Sequence, residues 1–156
     1  MKRVFMIFLF IIMIVSYENV IFASYNEEVF EEDLYHQVDG IFKERIRIWN
    51  NFLTGQYIST DKIEEDLKNF ISYPLIEEEI EMYEKMVAEP TSFEMISKVY
   101  IKDIDVIQNK LNTVQLEATV LWDVLGYLDN YTEELNYWIE LKRVNDRWML
   151  SDYKIN

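Results

Sequence analysis

The chain contains no cysteine. Disulfides, thiolate nucleophiles, cysteine-bound zinc and lipid attachment at an N-terminal cysteine are therefore excluded together. Histidine occurs once, as His36, which excludes a multi-histidine zinc site. With 3 glycines and 2 prolines, long flexible linkers are not expected. No glycine-rich phosphate loop, G-x-S-x-G elbow or EF-hand spacing is present. Positive charge is scarce too: 15 Lys and Arg stand against 29 Asp and Glu, a formal net charge of −14. Such a chain is repelled by nucleic acid and by anionic lipid, so no nucleic-acid partner is expected. No cofactor and no metal ion is expected either.

Apolar residues are what the chain has in quantity. Half of its 156 residues are hydrophobic and 15% are aromatic, which is ample for one packed domain and argues against disorder. There is no internal repeat and no low-complexity tract.

The N-terminus reads as an address. Lys2 and Arg3 precede an apolar run from Val4 to Val15, the length of a signal-peptide core and short for a membrane span. Ser16, Glu18 and Asn19 follow, and Ala23 sits just before a cleavage point ahead of Ser24. The expectation is a signal peptide over 1–23, with an uncleaved anchor as the alternative, and a single domain over 24–156. The domain is then secreted or otherwise extracytoplasmic, meeting membrane only through the N-terminal segment if that is kept.

The mature chain opens with a helical stripe over 28–53, in which Phe30, Leu34, Val38, Ile41, Phe42, Ile46, Trp49, Phe52 and Leu53 recur at steps of three and four. Gly55 marks its end. A second helix is predicted over Asp61–Ser72, with Thr60 as N-cap and Glu64 closing the cap. A third is predicted from Pro74 to Val87. The run Glu77-Glu78-Glu79 with Glu81 reads as a solvated helix face.

From Phe93 the period changes to two. Strands are predicted over Ser97–Ile107, Thr113–Tyr127, Leu135–Val144 and Arg147–Ile155. In the second, Val114, Leu116, Ala118, Val120, Trp122 and Val124 share one face. A two-residue turn at Asn145-Asp146 would pair Leu141 with Leu150 and Arg143 with Trp148. A turn at Asp129-Asn130 would pair Val124 with Leu135, Trp122 with Tyr137 and Val120 with Ile139. Tyr137, Ile139, Leu141, Trp148 and Leu150 then lie on the core face, and Trp138, Met149, Tyr153 and Ile155 on the other. Helices followed by antiparallel strands give an α+β domain, with one long and two shorter helices packed on a curved antiparallel sheet of about four strands.

The stretch Tyr137-Trp138-Ile139-Glu140-Leu141-Lys142-Arg143-Val144-Asn145-Asp146-Arg147-Trp148 resembles the closing hairpin of the NTF2-like (cystatin-like α+β) superfamily, in its exported bacterial form. The likeness spans Glu28 to Ile155 and is one of pattern. It implies a sheet curled round the long helix into a cone whose mouth holds a ligand. The superfamily includes ketosteroid-isomerase-like and dehydratase-like enzymes and many exported domains without catalysis.

Candidate chemistry is thin. His36 with Asp39 could act as base and orienter, but its place among acidic residues at the helix start fits a structural or solvated histidine better. Asp103, Asp105 and Asp123 lie on strands, and Tyr100 and Tyr137 could serve as partners for an isomerase-like site. No combination is singled out, and no catalytic residue is assigned. Trp122, Tyr137 and Trp148 are the candidate ligand contacts in the cone interior. Trp138, Met149, Tyr153 and Ile155 are the candidate interaction patch, suited to a homodimer or a protein partner on the outer sheet face. The reading is an exported, non-catalytic NTF2-like binding or interaction domain. Its alternatives are an isomerase- or dehydratase-like enzyme working on a small apolar ligand in the cone, and a membrane-anchored accessory domain of a cell-envelope assembly.

Overall fold

The computed structural model describes residues 30–89 and 93–156. The expected signal peptide, 1–23, lies outside the described residues. Those that are described fall into two units, 30–34 and Tyr35–Asn156, and the second carries the core treated below. No helix among them is long and apolar enough to cross a membrane.

Three helices pack on a four-stranded antiparallel sheet, an α+β arrangement. Helix α1 covers 30–53, α2 Thr60–Leu67 and α3 Leu75–Ala88. Strands β1 (Met95–Lys110), β2 (Thr113–Leu125), β3 (Asn130–Val144) and β4 (Arg147–Ile155) follow as a meander in the order β1-β2-β3-β4. In α1 the buried positions Val38, Ile41, Phe42 and Ile46 follow the expected stripe. Ile48, seven residues after Ile41, falls on the same face and is also completely buried. Gly55 ends α1 with a positive φ of 71°, a conformation that a side chain would disfavour.

Helix α2 is shorter than its sequence pattern suggests. It ends at Leu67, not Ser72, and its N-cap is Ser59, with no side-chain capping bond, not Thr60. The reason is the sheet. Leu150 N donates to the Phe70 carbonyl at 2.9 Å and Ser72 N to the Leu150 carbonyl at 2.8 Å, a parallel bridge centred on Ile71. Backbone groups that would have extended the helix instead cover the open edge of β4.

The other edge, β1, is covered by α1. Tyr35 Oη donates to the Ile101 carbonyl at 2.8 Å. Asn50 pairs with Ile96 in both directions, Nδ2 to its carbonyl at 2.6 Å and Oδ1 from its N–H at 3.1 Å. Three register shifts along β1 interrupt its pairing further.

The closing hairpin turns at Asn145 and Asp146, whose φ values of 49° and 61° are those of a type I′ turn. Leu141 faces Leu150 and Arg143 faces Trp148, as the parity of the sequence requires. The preceding pairing differs from expectation. Leu135 faces Val120 rather than Val124, Tyr137 faces Ala118 rather than Trp122, and Ile139 faces Leu116 rather than Val120. The reversal occupies 126–129, so that Leu125 pairs with Asn130. Gly126 makes this loop feasible: a Cβ there would lie 2.4 Å from the Asp129 carbonyl oxygen. The displacement is even, so every side chain keeps its face and the core set survives.

Beyond Leu150 parity does change. Leu141 pairs with Leu150, but Glu140 pairs with Asp152, which leaves Ser151 as an extra residue on β4. Ser151 is fully buried and lies within hydrogen-bonding distance of the Glu140 carbonyl (3.1 Å) and its carboxylate (3.0 Å). Tyr153 therefore faces Ile139, and Ile155 faces Tyr137. Both were expected on the outer sheet face, and the bulge carries them to the inner side.

Candidate functional site

The inner face of the sheet and the two longer helices line an open cavity of about 230 Å³. Each strand gives it one residue: Ile96 from β1, Trp122 from β2, Tyr137 from β3 and Tyr153 from β4. Helix α1 adds Arg45, Ile46 and Trp49, and α3 adds Glu79, Met82 and Tyr83. Aromatic and aliphatic groups dominate, as is usual in a small-molecule site, and the volume falls below the roughly 300–1,000 Å³ of drug-sized pockets.

The rings form two clusters. The Phe42 ring centroid lies 5.7 Å from that of Trp122 and 5.8 Å from that of Tyr137. Tyr137 is 6.2 Å from Trp122 and 6.0 Å from Tyr153. On the helical side Tyr83 packs against Phe52 at 5.0 Å and Trp49 at 6.4 Å. Burial disfavours the phenolate of Tyr137 and pushes its pKa up to about 12. The Tyr83 hydroxyl is raised as well, first by burial and then by the neighbouring Glu79 carboxylate.

One ion pair sits in this apolar setting. Arg45 Nη2 donates to Glu79 Oε1 and, at 2.6 Å, to the Tyr153 hydroxyl. The guanidinium carbon stacks 4.3 Å from the Tyr153 ring centroid. Burial by itself would lower the Arg45 pKa, but Glu79 and Tyr153 more than offset it and the guanidinium is held charged. Glu79 retains 5% of its surface and is the only carboxylate among the described residues that line the cavity. It belongs to the run read from sequence as a solvated face, and this position is corrected: Glu79 stands on the buried stripe of α3 with Leu75, Tyr83 and Met86.

Two donors at the cavity are uncommitted. Arg45 Nε and Trp122 Nε1 are both buried and neither has a hydrogen-bond partner. The indole N–H is close enough to the Tyr137 hydroxyl to oppose the rise in its pKa, but not in hydrogen-bonding geometry. A buried donor left unmade costs ~1–3 kcal/mol. Two such donors beside one cavity are a feature that core packing alone does not explain.

Of the ligand contacts expected from sequence, Trp122 and Tyr137 line the cavity and Trp148 does not. Trp148 pairs with Arg143 near the hairpin turn, at the opposite end of β4 from Tyr153. Of the expected outer patch, Trp138 and Met149 remain on the outer face, opposite Lys154 and Lys142. The Lys154 ammonium lies 4.7 Å from the Trp138 ring centroid and partly covers it. Tyr153 is a cavity residue instead, and Ile155 is exposed on the inner side. His36 is exposed at the start of α1, edge-on to Tyr35. Asp103 and Asp105 are exposed, Asp123 accepts from Thr132 at 2.7 Å, and Tyr100 is 44% exposed; none of them lines the cavity.

Sequence reasoning passed over Arg45 and Glu79. The signal was available: each is a charge on the buried stripe of its own helix, Arg45 between Phe42 and Trp49 and Glu79 between Leu75 and Tyr83. Opposite charges on two apolar stripes are expected to meet if the stripes face each other. Among the described residues no three His, Asp or Glu side chains are grouped so as to hold a metal ion.

No protein-family model matches the chain, and no curated protein matches it by sequence. Similar solved structures include the intermembrane-space region of the chloroplast protein ARC6, at 9% identity and a TM-score of 0.48, covering 78% of this chain and 95% of that one. An NTF2-like protein of unknown function in nutrient uptake from Rhodospirillum rubrum is similar at 12% identity and a TM-score of 0.43, covering 71% of this chain and 96% of that one. A de novo designed β-sheet protein is similar at 14% identity and a TM-score of 0.33, covering 80% and 88%.

Proposed function

We propose that residues 35–156 form an NTF2-like domain that binds, without transforming it, a small and largely apolar molecule in the cavity between α1, α3 and the sheet. The observation that carries this reading is the commitment of Glu79. Among the described residues it is the one carboxylate at the cavity, and it is ion-paired with Arg45. To act as a general base, Glu79 would have to take a proton from the substrate. Here that proton transfer would leave Arg45 buried without its counter-ion. The cavity offers shape, aromatic surface and hydrogen-bond donors, which are the attributes of a binding site.

The working place we propose for the domain is outside the cytoplasm, on the strength of Lys2, Arg3 and the apolar run that follows them. Intact mass of the protein recovered from its native cell tests this, with loss of Met1–Ala23 expected.

Binding is tested by titrating single-ring and short-chain apolar molecules against tryptophan fluorescence and thermal unfolding. Trp49 and Trp122 line the cavity, so emission changes with saturable dose and the midpoint rises. Incubation with cyclohexanone in deuterated buffer addresses the enzyme alternative. Deuterium uptake at the α-carbon faster than without protein, and abolished in Glu79→Gln, would overturn the non-catalytic reading.

A further inference from the structure

We infer that the ligand carries a neutral oxygen acceptor (a ketone, aldehyde, ester or amide carbonyl) which takes the two uncommitted N–H groups, Arg45 Nε and Trp122 Nε1. This rests on the cavity being a binding site, as proposed above, and adds the chemical class of its occupant.

The donors decide the polar end. Both nitrogens belong to side chains lining the same cavity, and both are buried without a partner. A carbonyl oxygen has two lone pairs and can accept from both at once. Each nitrogen has almost no accessible surface in the ligand-free chain. The oxygen therefore reaches them as the indole and guanidinium turn slightly about their outer torsions, with Arg45 still tethered through Nη2 to Glu79 and Tyr153.

Charge decides between a carbonyl and a carboxylate. The positive charge of Arg45 is already matched by Glu79. A ligand carboxylate would place a second negative charge close to Glu79 in a largely apolar pocket, inside a chain of net charge −14. A neutral acceptor gains the same hydrogen bonds without that repulsion. The remaining walls, Ile46, Met82 and the rings of Tyr83 and Tyr137, offer an apolar body its contacts.

The test uses the full chain and three probes of matched shape: acetophenone, cumene and benzoate. Cumene replaces the carbonyl oxygen by a methyl group, and benzoate replaces the acetyl methyl by a charged oxygen. Acetophenone is expected to bind about tenfold more tightly than cumene, the gain of hydrogen-bonding a donor that is otherwise unmade. It should also bind more tightly than benzoate. In proton–nitrogen correlation spectra the Trp122 indole resonance, assigned by its loss in Trp122→Phe, should move downfield with acetophenone and not with cumene. In Trp122→Phe the ratio of acetophenone to cumene affinity should shrink toward one. The spectra of the unaltered chain keep the test valid if that variant folds poorly. Equal affinity for acetophenone and cumene, or an unmoved indole resonance, overturns the carbonyl inference and leaves the binding reading standing. Tighter binding of benzoate overturns the neutral acceptor. Failure of all three probes to bind removes both the inference and the binding reading beneath it.

Discussion

Arg45 holds Tyr153 in two ways, donating to its hydroxyl at 2.6 Å and stacking 4.3 Å from its ring centroid. The two residues stand 108 positions apart, on the first helix and the last strand. Tyr153→Phe keeps the stack and removes the acceptor, with an expected loss of ~1–2 kcal/mol. Tyr153→Ala removes both and opens the cavity, with an expected loss nearer ~3–5 kcal/mol. Urea unfolding of the two variants reads the difference. Equal losses would mean that the ring contributes nothing beyond the hydroxyl.

The Arg45–Glu79 pair is expected to behave as a unit. Either Arg45→Met or Glu79→Leu alone strands a buried charge, for a loss of ~3–5 kcal/mol. The double variant leaves none and should recover most of that loss. A double-mutant cycle by chemical denaturation checks this, and simple additivity of the two losses would contradict the coupling.

Alkali should unfold the domain through its buried phenols. An unfolded tyrosine titrates near pH 10, whereas Tyr137 is pushed up to about 12. The unfolded chain therefore gives up its proton first. The protonated phenol's contribution is whole below about pH 10 and is lost as the pH climbs to about 12, on the order of 2–3 kcal/mol. Tyr83 adds to the same limb, since its pKa is raised too. Tyr137→Phe should flatten the fall in unfolding free energy across that window. An unchanged slope would show that Tyr137 titrates normally.

The hairpin turn leaves room for stabilisation. Asp146 adopts a φ of 61° that glycine takes without steric cost. Its ion pair with Arg143, 3.3 Å long, lies at a 93% exposed side chain, so its loss matters little. Asp146→Gly is expected to add roughly 0.5–1 kcal/mol, seen as a higher urea midpoint with an unchanged slope.

Much of this fold can be read from residue spacing. The period of α1, the alternation along β2 and the Asn145-Asp146 turn place three elements and the face they bury. The departures have local causes. Helix α2 stops early because 70–72 pairs with Leu150, a contact with no trace in the sequence near it. The β2–β3 pairing moves because the chain reverses over 126–129, where Gly126 lets its backbone approach the Asp129 carbonyl, and not at Asp129-Asn130. The site was half legible. Trp122 and Tyr137 follow from strict alternation, whereas Tyr153 depends on one extra residue at Ser151, and alternation has no means of anticipating an insertion. Arg45 and Glu79 needed two helices to be read together.

Every strand of the sheet pairs with its neighbour in the chain, so the sheet can assemble by successive hairpins with short loop closures. Two of the links that bind it to the helices wait for β4: the bridge at Ile71 and the grip of Arg45 on Tyr153. During synthesis the helices and the first three strands emerge before either link can form. Until β4 has left the ribosome, the Arg45–Glu79 pair lacks its tyrosine and the edge of β3 lies open. Maturation of the domain is thus gated by its last nine-residue strand, and truncation within Arg147–Ile155 should leave an aggregation-prone intermediate in place of a smaller folded protein.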